Sequence, residues 1–336
     1  MIYACAFFTR KPAYGYYITR KKAHSLCALT YFYGVHMENI KKITFKAPAK
    51  INLYLGVVCR REDGYHDIES VMQTIDLCDR VSVTVCEESG EERISVACEA
   101  LPNLPAEKNI AFRAARAFLS YNGIEKYNIS IEIDKKIPSE AGLGGGSSDA
   151  AATLRALDKL YGTKLSSQVL YELGKSVGAD VPFLLRRGTA LVEGIGEIMS
   201  DCTPAPFATV LVAFPKGEKI STKEAYANID GANAFSSHAD FEKMKEAMRS
   251  CDIDKIASAA KNIFEDVIPQ NSVVFKIKEA MNKNGAAFSL MSGSGSAVFG
   301  MFKDARDAKR AREVLSDISE TFISGMFTRD ENYIEN

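Results

Sequence analysis

A glycine-rich segment, Pro138-Ser-Glu-Ala-Gly-Leu-Gly-Gly-Gly-Ser-Ser148, carries the residue types that bind a polyphosphate. Its four glycines can adopt backbone angles closed to other residues, so successive N–H groups can turn toward one concavity. A helix predicted from about Ser147 would direct its positive dipole end into the same space. The segment has neither the lysine of a Walker loop nor the G-x-G-x-x-G spacing of a dinucleotide fingerprint. A flexible linker is the alternative, but a linker need not lead directly into an amphipathic helix, so we predict an anion site.

Three further segments contain residues that could act on a bound phosphate. Lys50 lies in Ala47-Pro-Ala-Lys-Ile-Asn-Leu, at the start of an otherwise apolar predicted strand. Asp180 lies in Gly178-Ala-Asp-Val-Pro-Phe, between a helix stop and a proline. Met291-Ser-Gly-Ser-Gly-Ser is a second glycine-rich turn between two predicted strands. Each has an ordinary reading when taken alone: a solvated strand-end lysine, a turn or capping aspartate, and a hairpin.

The elements that must position these segments alternate between strands and helices in the first part of the chain. Period-two alternation or apolar runs predict strands at 51–58, 81–85, 94–96 and 127–133. Apolar faces at helical spacing predict helices at 109–119, 147–161 and 166–177, and Gly162 and Gly178 end the last two.

The stretch Cys202-Thr-Pro-Ala-Pro-Phe has two prolines and predicts a domain boundary. Beyond it we expect a strand at 209–214, helices near 240–263 and 271–284, two strands flanking Ser292 to Ser296, and a helix at 304–315. Mixed order with segregated helices favours an α+β class with domains at 37–202 and 203–330.

Composition narrows the function classes. The formal net charge of -1 gives no overall attraction to nucleic acid or to an anionic membrane, and apolar runs fall short of the ~18 residues of a membrane span. The eight cysteines are scattered without a C-x-x-C pair, and only four histidines occur. This pattern favours reduced thiols in a cytoplasmic protein over a disulfide scaffold or a zinc site.

Residues 1–36 differ from the rest, because they contain basic and aromatic residues but no Asp or Glu. Met37 then opens a stretch that is typical of a natural protein start. Three explanations are open: a start set too far upstream, a targeting peptide, or a real extension. Residues 1–36 do not match the sequence features of targeting peptides, which favours the first explanation.

The glycine-rich segment, the three further segments and Asp63-Gly-Tyr-His, taken in their order along the chain, resemble the motifs of the GHMP family of small-molecule kinases. The resemblance extends over about Lys42 to Phe327. The resemblance implies a two-domain fold: an N-terminal domain like domain 2 of ribosomal protein S5 and a ferredoxin-like C-terminal domain. It implies ATP and Mg²⁺ as cofactors, with Asp180 as the base that deprotonates the attacking hydroxyl and Lys50 as its electrostatic partner. The implied ATP-binding residues are Pro138, Ser139, Glu140, Ala141, Gly142, Leu143, Gly144, Gly145, Gly146, Ser147 and Ser148.

Through this resemblance, the Gly-Tyr-His motif also implies a small-molecule substrate, a cytidine diphosphate derivative of methylerythritol that is phosphorylated on its 2-hydroxyl. A cytosine ring needs an aromatic face and paired hydrogen-bonding groups. The resemblance gives these roles to Tyr65, which stacks, and His66, which reads the base, with Tyr226 as the opposite wall. The other implied substrate-binding residues are Asn52, Ser292, Gly293, Ser294 and Gly295.

Several points stay open at this level. The magnesium ligands are unknown, and the region of Ser147 and Ser148 is the expected location. Glu140 departs from the family pattern of small apolar residues; it is harmless if it points outward and affects phosphate or metal binding if it points inward. Another GHMP kinase acting on homoserine, a mevalonate-type alcohol or a sugar is an alternative, and so is a catalytically silent ATP-binding regulator. We expect a monomer or weak homodimer without nucleic-acid or membrane partners.

Overall fold

A computed structural model of the chain describes residues 40–86, 92–206 and 208–327 and the backbone of 334–335. The N-terminal segment 1–36, which the sequence sets apart, lies outside the described residues. Within the described part, the strands form one eight-stranded sheet and one four-stranded sheet, and no helix there is long and apolar enough to span a bilayer.

The strands share an extended backbone and pair into the two sheets. They are β1 (Ile40–Arg60), β2 (His66–Cys86), β3 (Arg93–Cys98), β4 (Asn128–Asp134), β5 (Thr189–Gly194), β6 (Ile198–Asp201), β7 (Thr209–Pro215), β8 (Lys261–Asn262), β9 (Ala286–Met291), β10 (Val298–Phe302), β11 (Ser319–Ser324) and β12 (Ile334–Glu335).

The helices connect and cover these sheets. They are α1 (Ile110–Tyr121), α2 (Gly145–Tyr161), α3 (Ser167–Val177), α4 (Val181–Arg186), α5 (Thr222–Ala232), α6 (His238–Arg249), α7 (Ile253–Ala259), α8 (Val273–Lys283) and α9 (Ala305–Leu315). Short 3₁₀ segments occur at Ala106–Lys108 and Ile263–Val267.

The first sheet is organised around the long antiparallel pair β1–β2. The order is β12-β1-β2-β4-β3, while β5 pairs with β2 and β6, and β8 pairs with β1. The expectation that Lys50 begins a strand is wrong, because it lies inside the 21-residue β1. The strand continues past Pro48 through a register shift between Pro48 and Ala49, where the missing N–H of a proline is tolerated.

Helix α2 is the element that closes the glycine-rich loop. It begins at Gly145, two residues before the predicted start, and both flanking residues, Gly144 (φ 69°) and Gly162 (φ 66°), are left-handed. Buried Leu154 and Leu157 pack it into the main core. Because a left-handed backbone favours glycine, these two positions set the ends of the helix.

The second sheet confirms the predicted ferredoxin-like fold. Its order is β11-β7-β10-β9, and all its neighbours are antiparallel. Helix α8 precedes β9 and helix α9 joins β10 to β11. The βαββαβ sequence with this strand order is the ferredoxin-like arrangement.

The domain boundaries stay a prediction. The chain changes sheets between Asp201 and Thr209, near the two prolines. However, β8 and β12 return to pair with β1 of the first sheet. Residues after 203 therefore also contribute to the first sheet.

The glycine-rich loop is held between the two sheets by backbone contacts. Lys50 N donates to the Leu143 carbonyl over 2.9 Å, and Ala297 N donates to the Ala141 carbonyl over 3.1 Å. Between these bonds, Gly142 (φ 77°) packs against the carbonyl of Ser292 so closely that a Cβ would lie 2.0 Å from that oxygen. Only glycine fits this position without moving one of the two turns.

This close approach predicts an unequal pair of glycine substitutions. Gly142→Ala should lower the free energy of unfolding by roughly 3 kcal/mol or more, because a strained backbone is combined with a clash. Gly123→Ala is the matched control, since Gly123 has φ 62° but nothing within 4 Å of its added Cβ. We expect it to cost only about 1–2 kcal/mol. Urea unfolding of the two variants measures both values, and equal losses would contradict the packing described here.

Candidate active site

A cleft of about 1230 Å³ lies between the glycine-rich loop, the turn that joins β1 to β2, and the second glycine-rich turn. Most of the residues predicted from the sequence line it. From the glycine-rich loop these are Pro138, Ser139, Glu140, Ala141, Gly142, Gly144, Gly145, Gly146 and Ser147. From elsewhere they are Lys50, Asn52, Tyr65, His66, Asp180, Tyr226, Gly293 and Ser294.

The start of α2 presents free donors to this cleft. Gly144 precedes the helix and has no side chain to cap it, so the first N–H groups of the helix are open to a ligand. The positive end of the helix dipole adds to their attraction for an anion. This combination fits a polyphosphate.

Two members of the predicted loop set do not line the cleft. Leu143 is buried in the core, and Ser148 is buried with its Oγ donating to the Pro48 carbonyl over 2.8 Å. The hydroxyl of Ser148 therefore anchors α2 to β1. Ser147, one residue earlier, is half-buried and does line the cleft.

Glu140 lies at the rim of the cleft. Its side chain is 79% exposed, and its carboxylate lies 3.5 Å from the ammonium of Lys219. The residue has φ 58°. The carboxylate is therefore largely exposed and paired with a cation, and the effect of Glu140 on phosphate or metal binding stays a prediction.

Lys50 is held deep in the cleft by a neutral partner. Its Nζ donates to Asn52 Oδ1 over 2.8 Å and lies 4.0 Å from Asp180 Oδ2. The side chain of Lys50 is buried, whereas that of Asp180 is 31% exposed. The two residues implied to carry the reaction therefore face one another across the inner end of the cleft.

Asn52 joins the second glycine-rich turn to this lysine. Its Oδ1 also accepts from the backbone N–H of Gly293 over 3.0 Å, and its Nδ2 donates to Ser70 Oγ over 2.9 Å. The hydroxyl of Ser70 in turn donates to the Tyr54 carbonyl. Asn52, expected to bind substrate, is thus engaged with protein groups at both ends of its amide.

The second glycine-rich turn divides into buried and cleft-lining residues. Ser292 is fully buried and its Oγ donates to the Gly142 carbonyl over 3.0 Å. Gly295 does not line the cleft either. Ser294, by contrast, lines it and shares a hydrogen bond with Thr222. Ser292 therefore supports the glycine-rich loop rather than facing the cleft.

A buried cluster of one lysine and two aspartates lies beside the start of α2. Lys135 Nζ donates to Asp79 and Asp149. Burial acts to lower the pKa of Lys135, but the two carboxylates outweigh it and the pKa is raised. Burial raises the pKa of the Asp149 carboxyl, and Lys135 opposes that shift.

Asp149 has one buried oxygen, Oδ1, without a hydrogen-bond partner among the described residues, and both Asp149 and Ser147 line the cleft. No group of three or more His, Cys, Asp or Glu side chains that could hold a metal occurs among the described residues. A magnesium ion that is bound mainly by phosphates needs only one or two protein oxygens. The free oxygen of Asp149 and the hydroxyl of Ser147 therefore fit such an ion.

His66 and Tyr226, which also line the cleft, form a stacked pair. Their ring centroids are 4.6 Å apart at an interplanar angle of 27°. Burial, with a smaller contribution from the charge of Asp180, raises the pKa of Tyr226 to about 12, so this hydroxyl stays protonated. Tyr65 also lines the cleft, and 62% of its surface is exposed to solvent.

Sequence reasoning missed several cleft residues. Asp230 accepts a hydrogen bond from His66 Nε2 over 2.7 Å, and Leu101 and Leu104 add an apolar surface before α1. Asp230 lies four residues after Tyr226 on α5, so helical spacing could have placed it on the same face. Leu101 and Leu104 lie in a connection without a regular period, and no local signal marks them.

Two family models match parts of this chain. The family model described as the N-terminal domain of GHMP kinases matches residues 109–188, and the one described as their C-terminal domain matches residues 236–319. The first match spans α1, the glycine-rich loop and Asp180. The second spans Asn262 and the second glycine-rich turn.

Two curated relatives match most of this chain by sequence. A 4-diphosphocytidyl-2-C-methyl-D-erythritol kinase of Clostridium perfringens is 39% identical over 86% of this chain and 96% of its own length. One of Geobacter metallireducens is 39% identical over 84% and 98%.

Solved structures extend the comparison. A crystal structure of 4-(cytidine 5'-diphospho)-2C-methyl-D-erythritol kinase superposes with a TM-score of 0.71 and 32% identity, over 84% of this chain and 99% of that one. Homoserine kinase from Cytophaga hutchinsonii, at 21% identity and a TM-score of 0.67 over 89% and 98%, shows the fold alone. On its sequence matches and its two-sheet architecture, this chain belongs to the GHMP family of small-molecule kinases.

Proposed function

We propose that this chain transfers the γ-phosphoryl group of ATP to the 2-hydroxyl of 4-diphosphocytidyl-2-C-methyl-D-erythritol, a step of the non-mevalonate isoprenoid precursor pathway. The observation that carries the reaction type is the 4.0 Å approach of Lys50 Nζ to Asp180 Oδ2 inside a cleft bordered by the glycine-rich loop. The names of relatives that cover nearly the whole described chain support the choice of substrate.

ATP would bind with its phosphates at the start of α2. The uncapped N–H groups after Gly144 and the helix dipole favour the phosphate charge. Leu101 and Leu104 also line the cleft, and their apolar surface suits an adenine ring. When bound, a magnesium ion held by Asp149 and Ser147 would neutralise part of the phosphate charge.

Asp180 would act as the base. Its carboxylate accepts the proton of the substrate hydroxyl as the hydroxyl oxygen bonds to the γ-phosphorus and the bond from that phosphorus to the β-phosphate oxygen breaks. Positioned base catalysis typically contributes about 10²–10⁴-fold. The partial exposure of Asp180 leaves room for the hydroxyl to approach.

Lys50 would stabilise the charge on the transferring oxygens. Its nearest partner is the neutral amide of Asn52 at 2.8 Å, while Asp180 is more distant. A buried ammonium that is not neutralised by a close carboxylate keeps a strong electrostatic attraction for phosphate. Asn52 therefore acts as the positioning residue of Lys50 in this proposal.

The substrate's cytosine would occupy the end of the cleft formed by Tyr65, His66 and Tyr226. The exposed Tyr65 offers an aromatic face. In this structure Tyr226 backs the His66 ring, and its part as an opposite wall stays a prediction. Homoserine and mevalonate-type alcohols remain the substrates to compare, as does ATP binding without turnover.

Location and assembly are also proposals. We propose a cytoplasmic protein, monomeric or weakly dimeric, with no nucleic-acid or membrane partner. Support comes from the near-neutral formal charge and from six described cysteines that are free thiols.

Asp180→Asn tests the proposed base directly. The change keeps the side-chain shape but removes the proton acceptor, so we expect kcat to fall by about 10²–10⁴-fold. ADP release with 4-diphosphocytidyl-2-C-methyl-D-erythritol and Mg²⁺ measures turnover, and ATP affinity should stay close to that of the wild type.

The same assay with homoserine and mevalonate serves as the substrate control. Wild-type turnover of either alcohol at a rate equal to that of the cytidine substrate would contradict the proposed specificity. Full activity of Asp180→Asn would remove Asp180 as the base while leaving the family assignment intact.

Two variants of Asn52 test its proposed role as the positioning residue of Lys50. Asn52→Leu leaves the N–H of Gly293 and the ammonium of Lys50 without their acceptor, so it should cost about 1–3 kcal/mol of stability and lower kcat. Asn52→Asp keeps an acceptor but neutralises Lys50, so it should lower kcat with a smaller loss of stability. Urea unfolding and initial rates separate the two effects, and wild-type kcat in Asn52→Asp would refute a role for the neutral partner.

A further inference from the structure

A carboxylate–imidazole pair lines the cleft where the turn from β1 enters β2. Nε2 of His66, at the start of β2, lies 2.7 Å from Oδ1 of Asp230 on α5. Both residues line the cleft, and the side chain of His66 is only 8% exposed. The proposed function places the cytosine of the substrate beside His66 but gives Asp230 no part.

Neighbouring side chains fix the orientation of the pair. The ring of Tyr226 stacks on the imidazole, which prevents the imidazole from tilting. Arg60 Nη1 lies 3.4 Å from the second oxygen of Asp230, so the carboxylate is restrained as well. The imidazole is thus held in one plane and at one angle.

The hydrogen bond also selects the tautomer. An ionised carboxylate can only accept, so Nε2 of His66 must carry the hydrogen. In the neutral imidazole, Nδ1 is then an acceptor. No described residue forms a hydrogen bond with Nδ1, and Nδ1 is not among the buried unpaired polar atoms, so it remains accessible to a ligand.

We propose that Asp230, acting through His66, makes this cleft select cytosine over uracil. The exocyclic amino group of cytosine is a donor that an unprotonated Nδ1 can accept. In place of that amino group uracil carries a carbonyl oxygen, which meets Nδ1 acceptor to acceptor. Asp230 is therefore a specificity-determining positioning residue, and the inference rests on the proposed cytidine substrate.

Asp230→Asn is the variant that tests the tautomer. The amide can present either its oxygen or its NH₂ to Nε2, so both tautomers of His66 become available. The quantity to measure is the ratio of kcat/KM for the cytidine substrate to kcat/KM for its uridine counterpart. We expect the variant to lower this ratio roughly tenfold or more, which is the size of one mispaired buried hydrogen bond, and to leave the KM for ATP unchanged.

Arg60→Gln is the matched control. It removes the ion pair to Asp230 but leaves the bond between Asp230 and His66, so the cytidine-to-uridine ratio should be retained even if both rates fall. An equal loss of the ratio in both variants would overturn the assignment to Asp230, because general disturbance of this end of the cleft would then explain it.

Imidazole ¹⁵N spectra give a readout that does not depend on turnover. The His66 signals are assigned by their loss in His66→Gln, and the wild type should show a protonated Nε2 and an unprotonated Nδ1. Asp230→Asn should shift both signals toward a mixture of tautomers. A wild-type ring protonated on Nδ1, or a wild type that does not distinguish the two bases, overturns the proposal.

Failure of the proposed function is recognised separately. If the cytidine substrate is not turned over, dissociation constants for CDP and UDP are compared, with the ATP site saturated by a non-hydrolysable ATP analogue. A preference for CDP that Asp230→Asn abolishes supports the role of Asp230 without the proposed reaction. The absence of any preference refutes both.

Discussion

The contact between the two glycine-rich turns constrains the rest of the cleft. Gly142 lies directly against the Ser292 carbonyl, and the Ser292 hydroxyl bonds back to the Gly142 carbonyl. Asn262 fixes the other side of the second turn through the carbonyls of Met291 and Gly293. Since one turn leads into α2 and the other belongs to the second sheet, this contact sets where the start of α2 lies relative to Lys50.

Charge in the cleft is distributed so that cations remain available to an anion. Lys50 is buried beside a neutral amide, and Asp180 is 4.0 Å away. Lys135, by contrast, is shared between Asp79 and Asp149, so its charge is already compensated. Burying an ammonium is costly unless it is hydrogen-bonded. Asn52 meets that requirement without cancelling the charge that the proposed phosphoryl transfer needs.

The parts of the site that sequence predicts are those with local signatures. Contiguous glycines before a helix indicated the phosphate loop, whereas Asn52 was assigned only through the family resemblance. The bond from Asn52 to Gly293 joins residues 241 positions apart, and the bond from His66 to Asp230 joins residues 164 apart. Such pairs have no local period. The resemblance therefore implied substrate roles for Asn52 and Ser292, although Asn52 bonds to Lys50 and Gly293 and Ser292 bonds to Gly142. The early start of α2 was missed because a glycine at a helix start lacks the side-chain cap that marks one.

The most direct test of the central claim is to follow the phosphorus atoms by ³¹P NMR. The purified chain would be incubated with ATP, Mg²⁺ and 4-diphosphocytidyl-2-C-methyl-D-erythritol. We expect the γ-phosphate signal of ATP to be replaced by the signals of ADP and of a new phosphomonoester on the substrate, in equal amounts. Conversion of ATP to ADP and inorganic phosphate alone, or unchanged spectra with both ligands bound, would contradict phosphoryl transfer between the two sites of this cleft.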